Sequence, residues 1–169
     1  KGTYKMKVFV YYQDLLKNKT DEANFENIVT SELYTIDLKG TKKLFKAADL
    51  YAGETFSPDG SYILLTTIQK PFSYLVPLNR FPMKTVAYKA NGEEVSVVNN
   101  VALSEILPKG FMAVREGKRS MSWRADKPAT LFFVEALDGG DPANKVAHRD
   151  ALYTWEAPFN NAPELLTKT

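Results

Sequence analysis

The clearest indication of the fold is the stretch Thr55-Phe-Ser-Pro-Asp-Gly-Ser-Tyr-Ile-Leu-Leu65. Pro58 presets φ at the first turn position, Asp59 accepts backbone N–H bonds, and Gly60 takes a conformation that strains other residues. The stretch therefore predicts a strand end, a tight turn and an apolar strand. Residues 121–134 repeat this order, with Lys-Pro in place of the glycine, which predicts a longer second turn.

Hairpin patterns accompany these turns. Apolar and polar residues alternate in pairs of segments rich in Val, Ile, Thr, Tyr and Phe, as in half-buried strands. Asn91-Gly92 is the clearest connection, because both turn positions tolerate positive φ. The three predicted hairpins occupy residues 33–45, 85–98 and 151–167.

The order of these elements is that of a β-propeller blade: inner strand, turn, second strand and outer hairpin. The sequence thus predicts an all-β partial β-propeller with about two and a half four-stranded blades. Its parts are an outer hairpin at 31–47, a blade at 48–99 and a blade at 119–169. Radial repetition protects sheet edges, so we expect residues 1–169 to be a single fragment of a longer propeller domain.

The N-terminal segment breaks the pattern. Residues 3–10 alternate as a strand does, whereas Thr20, Asp21 and Glu22 are typical of a helix start with acidic groups in the first turn. A short helical insertion is predicted over residues 21–30.

Composition excludes several classes of protein. The 169 residues are 44% hydrophobic and 25% charged, as in ordinary globular proteins. Basic residues number 22 against 20 acidic ones, and the net charge of +2 gives no case for nucleic acid. No apolar run approaches the roughly 18 residues of a membrane helix, so membrane insertion is not expected. With no cysteine and only one histidine, His148, we expect no cofactor and no metal.

Two short motifs admit a chemical and a structural interpretation. His148-Arg149-Asp150 puts a base beside a carboxylate, but neighbours in an extended segment point to opposite faces. A loop leading into a strand at Ala151 is favoured. Asp138-Gly-Gly-Asp141 offers carboxylates to calcium but lacks the alternating ligands of a calcium loop, so we expect a flexible turn.

Longer runs carry a family resemblance. They are Tyr12-Gln-Asp-Leu-Leu-Lys-Asn18, Asp21-Glu22 with Phe25, Thr30-Ser-Glu-Leu33, Phe56-Ser-Pro-Asp-Gly60, Lys70-Pro-Phe-Ser-Tyr-Leu-Val-Pro77, Arg80-Phe-Pro82, Arg119-Ser-Met-Ser-Trp-Arg-Ala-Asp-Lys-Pro128 and Glu135 through Asp-Gly-Gly-Asp141. With these runs the sequence resembles the propeller of glutamyl endopeptidase-like serine peptidases in the prolyl oligopeptidase family. The resemblance covers nearly the whole chain.

The resemblance implies a parent with an N-terminal propeller and a C-terminal α/β-hydrolase domain that carries a Ser, Asp and His triad. The propeller of such a parent restricts which peptides reach the triad. This sequence has no Gly-x-Ser-x-Gly elbow, and its single histidine is His148. None of the triad residues can be placed here, so we expect the chain itself to be catalytically silent.

Basic residues are the candidate substrate-binding groups. A peptidase that accepts glutamate needs a cation for that side chain, and a bidentate arginine suits a carboxylate. The resemblance makes Arg80, Arg115 and Arg119 candidates for steering acidic peptides. Alternatively, they are solvated charges or pair with carboxylates such as Glu116, as surface ions often do. Similarly, residues 70–82 either project toward a partner domain or pack over the blade.

The implied partners are a peptide substrate and the absent α/β-hydrolase domain of the same parent. Unpaired sheet edges also predict self-association of the fragment. The alternative function is a TolB-like β-propeller module that binds protein and has no peptidase activity. The resemblance implies a periplasmic or secreted parent in bacteria and a plastid one in plants, and the chain does not decide between them.

Overall fold

The computed structural model describes residues 15–169, and the strand predicted over residues 3–10 lies outside them. The described residues form one α-helix, α1 (Lys19–Val29), and ten strands. The strands are β1 (Ser31–Ile36), β2 (Lys42–Asp49), β3 (Tyr51–Phe56), β4 (Tyr62–Ile68), β5 (Met83–Lys89), β6 (Glu94–Val101), β7 (Arg119–Trp123), β8 (Thr130–Ala136), β9 (Asp150–Glu156) and β10 (Glu164–Lys168). The predicted all-β class with one short helix is confirmed.

The strands form three antiparallel sheets. β1 and β2 make a two-stranded sheet. β3 to β6 form the first large sheet and β7 to β10 form the second large sheet, each with its four strands in sequence order. Every strand of a large sheet therefore pairs with its neighbour along the chain, and the three predicted hairpins are present.

Helix α1 begins before the predicted start at Asp21, because Asn18 caps it. The Asn18 side chain accepts the backbone N–H groups of Thr20 and Asp21 at 2.9 and 3.0 Å. These bonds satisfy donors that the first helical turn leaves without partners. The helix has 11 residues, and no helix in the described part of the chain is long and apolar enough to cross a membrane.

Two turns test the turn predictions. At Asn91-Gly92 only Gly92 has a positive φ, of 92°. The Asn91 side chain accepts the N–H of Glu93 at 3.0 Å, and this bond closes the turn while the asparagine backbone keeps an ordinary conformation. The turn between β7 and β8 spans residues 124–129, against 57–61 between β3 and β4, so the second turn is longer, as predicted.

The two large sheets correspond strand by strand. Ile63, the second residue of β4, pairs with Tyr88 of β5. Leu131, the second residue of β8, pairs in the same way with Trp155 of β9. Each pair sets an aliphatic residue opposite an aromatic one, so the repeat seen in the sequence is also a repeat of sheet register.

The large sheets pack against each other through faces that do not correspond. The first contributes Leu64 and Ala87, and the second contributes Leu131 with Trp155 packed beside it. Leu64 follows Ile63 in β4 and therefore points to the other face of its sheet, whereas Leu131 corresponds to Ile63. The two sheets therefore contribute different faces to the contact, and a further sheet can repeat a contact of this kind.

A second core lies between α1 and the loop after β4. Its buried members are Leu50, Ile68, Val76 and Phe81. The ring of Phe25 in α1 meets Phe72 and Phe81 edge-on, with centroid distances of 5.2 and 6.1 Å. Phe72 and Phe81 therefore pack over the sheet, as the second of the two alternatives predicted, whereas Tyr74 is exposed and its hydroxyl donates to Glu22 of α1 at 2.6 Å.

Candidate functional site

Arg119 is held in an ion pair within the second large sheet. Its Nη2 donates a hydrogen bond to Oδ1 of Asp150, the first residue of β9. The two side chains are 24% and 32% exposed. The guanidinium of Arg119 therefore links β7 to β9 across the second large sheet, which is a structural contact.

Arg80 and Arg115 lie on two loops that touch. Arg80 ends a short 3₁₀ helix in residues 69–82, and Arg115 lies in residues 102–118, which we call the linking loop because it joins the two large sheets. Nη1 of Arg115 donates to the Asn79 carbonyl at 3.4 Å, and the Ser104 N–H donates to the Arg80 carbonyl at 3.0 Å. The structure thus brings two of the three candidates together, beside the ends of β4 and β6.

A surface pocket of about 540 Å³ opens beside Arg115. This volume lies within the range of roughly 300–1,000 Å³ found for ligand sites. Its apolar walls are Val101, Leu103, Ile106, Leu107, Pro108 and Val114, and its charged side chains are Glu105, Arg115 and Glu116. Oε1 of Glu105 accepts a hydrogen bond from Oγ of Ser73 at 2.6 Å, so this carboxylate also ties the linking loop to the loop after β4.

An ion pair that the sequence analysis missed holds the wall of this pocket. Asp138 is 3% exposed. Its Oδ2 accepts Nε–H of Arg149 at 2.7 Å, and its Oδ1 accepts the N–H of Gly140 at 2.7 Å. Arg149 also donates to the Met112 carbonyl of the linking loop. The predicted turn at residues 138–141 is present, and its first carboxylate is buried with both oxygens hydrogen-bonded, so it fixes the corner.

Gly140 lets the two loops approach closely. Its φ is 81°, and the Val114 N–H donates to its carbonyl at 3.0 Å. A Cβ at this position would lie 2.1 Å from the Val114 carbonyl oxygen, so no other residue fits without a shift of the backbone. The adjacent glycines after Asp138 were the sequence signal for this corner, since both take positive φ.

Lys118 occupies the seam between the two large sheets. Its Nζ donates to the Val98 carbonyl at 2.9 Å and lies 4.2 Å from the ring centroid of Trp155. Burial lowers the pKa of Lys118, and the charge of Glu135 opposes this shift in part. Lys118 therefore joins the β6 backbone of one sheet to the aromatic face of the other, a role that sequence spacing did not reveal.

The remaining motifs supply no reactive group. His148 is exposed in the loop before β9, and the neighbouring Asp150 is engaged by Arg119. Across residues 15–169, no group of three histidine or acidic side chains is placed to hold a metal ion. The favoured interpretation of residues 148–150 as a loop leading into a strand agrees with this placement.

Comparison with known proteins gives two relatives. The chain is 40% identical over 159 residues to a protein of Oryza sativa subsp. japonica named probable glutamyl endopeptidase, chloroplastic. It is 36% identical over 159 residues to a protein of Arabidopsis thaliana with the same name. Both matches cover 93% of this chain but only 17% and 16% of the relatives, so the chain spans about a sixth of their length.

No family model matches the chain. No solved structure matches it either. The names of the two relatives agree with the predicted resemblance to the extent that both relatives are peptidase-like. The chain is therefore similar to proteins named glutamyl endopeptidase, and its described residues are built mostly from antiparallel sheets.

Proposed function

We propose that this chain is part of the β-propeller of a glutamyl endopeptidase-like serine peptidase in the prolyl oligopeptidase family. In this proposal the propeller is not catalytic, and it restricts and steers peptides toward a separate α/β-hydrolase domain. The observation that carries the proposal is the identity of 40% and 36%, over 93% of the chain, to proteins named glutamyl endopeptidase.

The packing of the sheets supports the propeller. The first large sheet uses one face against the second large sheet, and its other face meets the β1–β2 hairpin, where Nζ of Lys46 lies 3.6 Å from the ring centroid of Tyr88. The first strands of the two large sheets are also neighbours, since Nε1 of Trp123 in β7 donates to the Thr55 carbonyl in β3 at 3.4 Å. Successive sheets that stack in one sense, with their first strands adjacent, are what a ring of blades requires.

The outer face of the second large sheet supports a further blade. Phe132 pairs with Thr154 as Leu64 pairs with Ala87 in the first large sheet. Leu64 and Ala87 are buried by the neighbouring sheet, whereas Phe132 and Thr154 are only half-buried. In a propeller the next blade would cover this face.

Arg80 and Arg115 are the residues to which we assign the steering of acidic peptides. They lie on adjoining loops, and a guanidinium binds a carboxylate through paired hydrogen bonds. Arg119 is not assigned this role, because it lies in β7 and not on these two loops, and its guanidinium binds Asp150. An acidic peptide that approaches these loops would be favoured over a neutral one of the same shape.

The test is the cleavage of matched peptides by the full-length protein. Replacing both arginines, Arg80→Gln with Arg115→Gln, should lower kcat/KM about fivefold for a glutamate peptide and leave that for the glutamine analogue nearly unchanged. Lys127→Gln, an exposed cation in the turn after β7, is the control and should change neither value. Equal losses for both peptides would contradict steering by charge.

The reading frame that encodes this chain supplies a second test. A Gly-x-Ser-x-Gly motif followed by Asp and then His would support the peptidase proposal. A frame with further blades and no such order would instead favour the TolB-like binding module.

A further inference from the structure

We propose that the pocket beside Arg115 is a peptide subsite that takes a large apolar side chain while Arg115 pairs with an acidic side chain next to it in the peptide. The inference rests on the proposed function and adds a preference for apolar residues that charge alone does not predict. Its ligands would be peptides in which a residue such as leucine adjoins glutamate or aspartate.

The walls of the pocket favour an apolar side chain. Leu103, Leu107 and Val114 contribute aliphatic surface, and the volume of about 540 Å³ is ample for a leucine or phenylalanine side chain. Removal of such a side chain from water is favourable in proportion to the apolar area that becomes buried.

The charged residues of the pocket determine the orientation of the bound peptide. Glu105 and Glu116 both line it, so a peptide carboxylate that entered the pocket would meet two like charges. Arg115 is the one cation among the lining residues. The only hydrogen bond of its guanidinium among the described residues is the long one to Asn79, at 3.4 Å. A guanidinium has five N–H donors, so Arg115 can still bind a carboxylate in the bidentate manner.

One side of the site is fixed by hydrogen bonds to the loop after β8. Arg149 binds the Met112 carbonyl, and Gly140 accepts the Val114 N–H at 3.0 Å, so both bonds fix the segment that leads to Arg115. The buried carboxylate of Asp138 in turn fixes Arg149 and Gly140. A segment held in this way loses less conformational entropy on binding.

The experiment measures binding of four labelled hexapeptides that differ only in a central Leu-Glu, Ala-Glu, Leu-Gln or Ala-Gln pair. The full-length protein is first treated with a serine-directed phosphonate, which prevents cleavage during the fluorescence anisotropy titrations. The Leu-Glu peptide should bind about tenfold more tightly than the Ala-Glu peptide. Its advantage over the Leu-Gln peptide should be about fivefold.

Two variants separate the parts of the site. Ala102→Trp fills the pocket from its exposed rim and should abolish the preference for leucine while the preference for glutamate remains. Arg115→Gln should abolish the preference for glutamate while the preference for leucine remains. Lys127→Gln is the control and should leave both preferences intact.

The outcomes distinguish this inference from the proposed function. If the protein shows no preference for leucine, or if that preference survives Ala102→Trp, the apolar subsite is overturned. This holds even if Arg115 still selects glutamate. A preference for glutamate that survives both Arg80→Gln and Arg115→Gln overturns the steering role and the Arg115 half of this inference. If Ala102→Trp removes only the preference for leucine and Arg115→Gln removes only the preference for glutamate, both this inference and the proposed function are supported.

Discussion

The two large sheets share strand order and register, yet their long loops are held by different forces. Residues 69–82, after β4, are held by aromatic packing, with Phe72 and Phe81 stacked at 5.6 Å and Phe25 of α1 set edge-on against them. Residues 137–149, after β8, are held by the buried ion pair of Asp138 and Arg149. The same topology thus tolerates either solution, because the strands fix only where a loop begins and ends.

The short turns of the two sheets differ in the same way. Oδ1 and Oδ2 of Asp59 accept hydrogen bonds from the hydroxyls of Ser57 and Ser61 at 2.6 and 2.5 Å. Asp126, at the corresponding turn, is engaged by the guanidinium of Arg124 instead. The two turns also touch, since the Asp59 N–H donates to the Pro128 carbonyl at 3.2 Å. Both turns contain an aspartate, but its partners are neutral hydroxyls in one turn and a charged guanidinium in the other.

The largest expected effect lies in the aromatic loop. Phe81 is 3% exposed, so Phe81→Ala removes a buried ring and leaves a cavity beneath α1. We expect the free energy of unfolding to fall by about 3–4 kcal/mol in urea denaturation. Phe111→Ala is the matched control, because Phe111 is fully exposed in the linking loop and its loss should cost under about 0.5 kcal/mol. Equal losses for the two variants would refute this account of the loop.

Breaking the ion pair of the other loop should cost somewhat less. Asp138→Asn leaves Arg149 without its counter-charge, but the arginine side chain is 28% exposed and water can solvate it in part. We expect a loss of about 2–3 kcal/mol. Asp141→Asn is the control, since the described bond of that side chain is one accepted from the Ala143 N–H at 2.9 Å.

Hydrogen exchange of the Asp138→Asn variant should locate the damage. Amides of residues 110–116 and 137–149 should lose protection, whereas those of residues 69–82 keep it. Uniform loss over the whole chain would mean that the ion pair supports the fold generally and does not hold this loop in particular.

The two turns should respond differently to salt at acid pH. Hydrogen bonds from Ser57 and Ser61 lower the pKa of Asp59, and the bond from Arg124 lowers the pKa of Asp126. Because each folded-state pKa lies below the unfolded-state value, each carboxylate adds stability above that value and loses it as the pH falls through the folded-state pKa.

Asp59→Asn and Asp126→Asn should therefore each reduce the drop in Tm between about pH 6 and about pH 2. At about 1 M salt the Asp126→Asn effect should shrink more, because its partner is a full charge in an exposed turn. If salt reduces the effects of Asp59→Asn and Asp126→Asn equally, the two turns do not differ in the way proposed here.

The smallest expected effect is at the seam between the sheets. Burial lowers the pKa of Lys118 below its ordinary value, so in the alkaline range the unfolded chain binds more protons than the folded chain does. Stability should therefore rise slightly as the pH increases through the folded-state pKa. Lys118→Met keeps the apolar stem and should abolish this rise, whereas Lys127→Met, at an exposed site, should not. Thermal unfolding at several alkaline pH values measures the difference.

Local patterns carried much of the fold. Alternation of apolar residues and the turn residues around Pro58 and Asn91 predicted the strands and hairpins, because both signals depend on near neighbours in the chain. The start of α1 was missed by two residues, since Thr20 and Asn18 are both good caps and only the hydrogen bonds of Asn18 select between them.

The candidate site was predicted only in part. Arg80, Arg115 and Arg119 were singled out by residue type, but their partners lie far away in the sequence. Arg119 pairs with Asp150, 31 residues on, and Arg115 reaches Asn79, 36 residues back. No local pattern reports such distances, so the sequence could not tell that Arg119 pairs with Asp150 and that Arg115 lines the pocket.

The β-sheet class, the repeat of two corresponding units and the resemblance to a peptidase could all be predicted from the order of residues, because periodicity, turn chemistry and family-like runs are local features of the sequence. Tertiary structure alone decided which faces of the sheets meet, how Asp138 and Arg149 fix the linking loop, and where Lys118 enters the seam. These features join residues from separate strands and loops, and their energies depend on burial and distance, which exist only once the chain has folded.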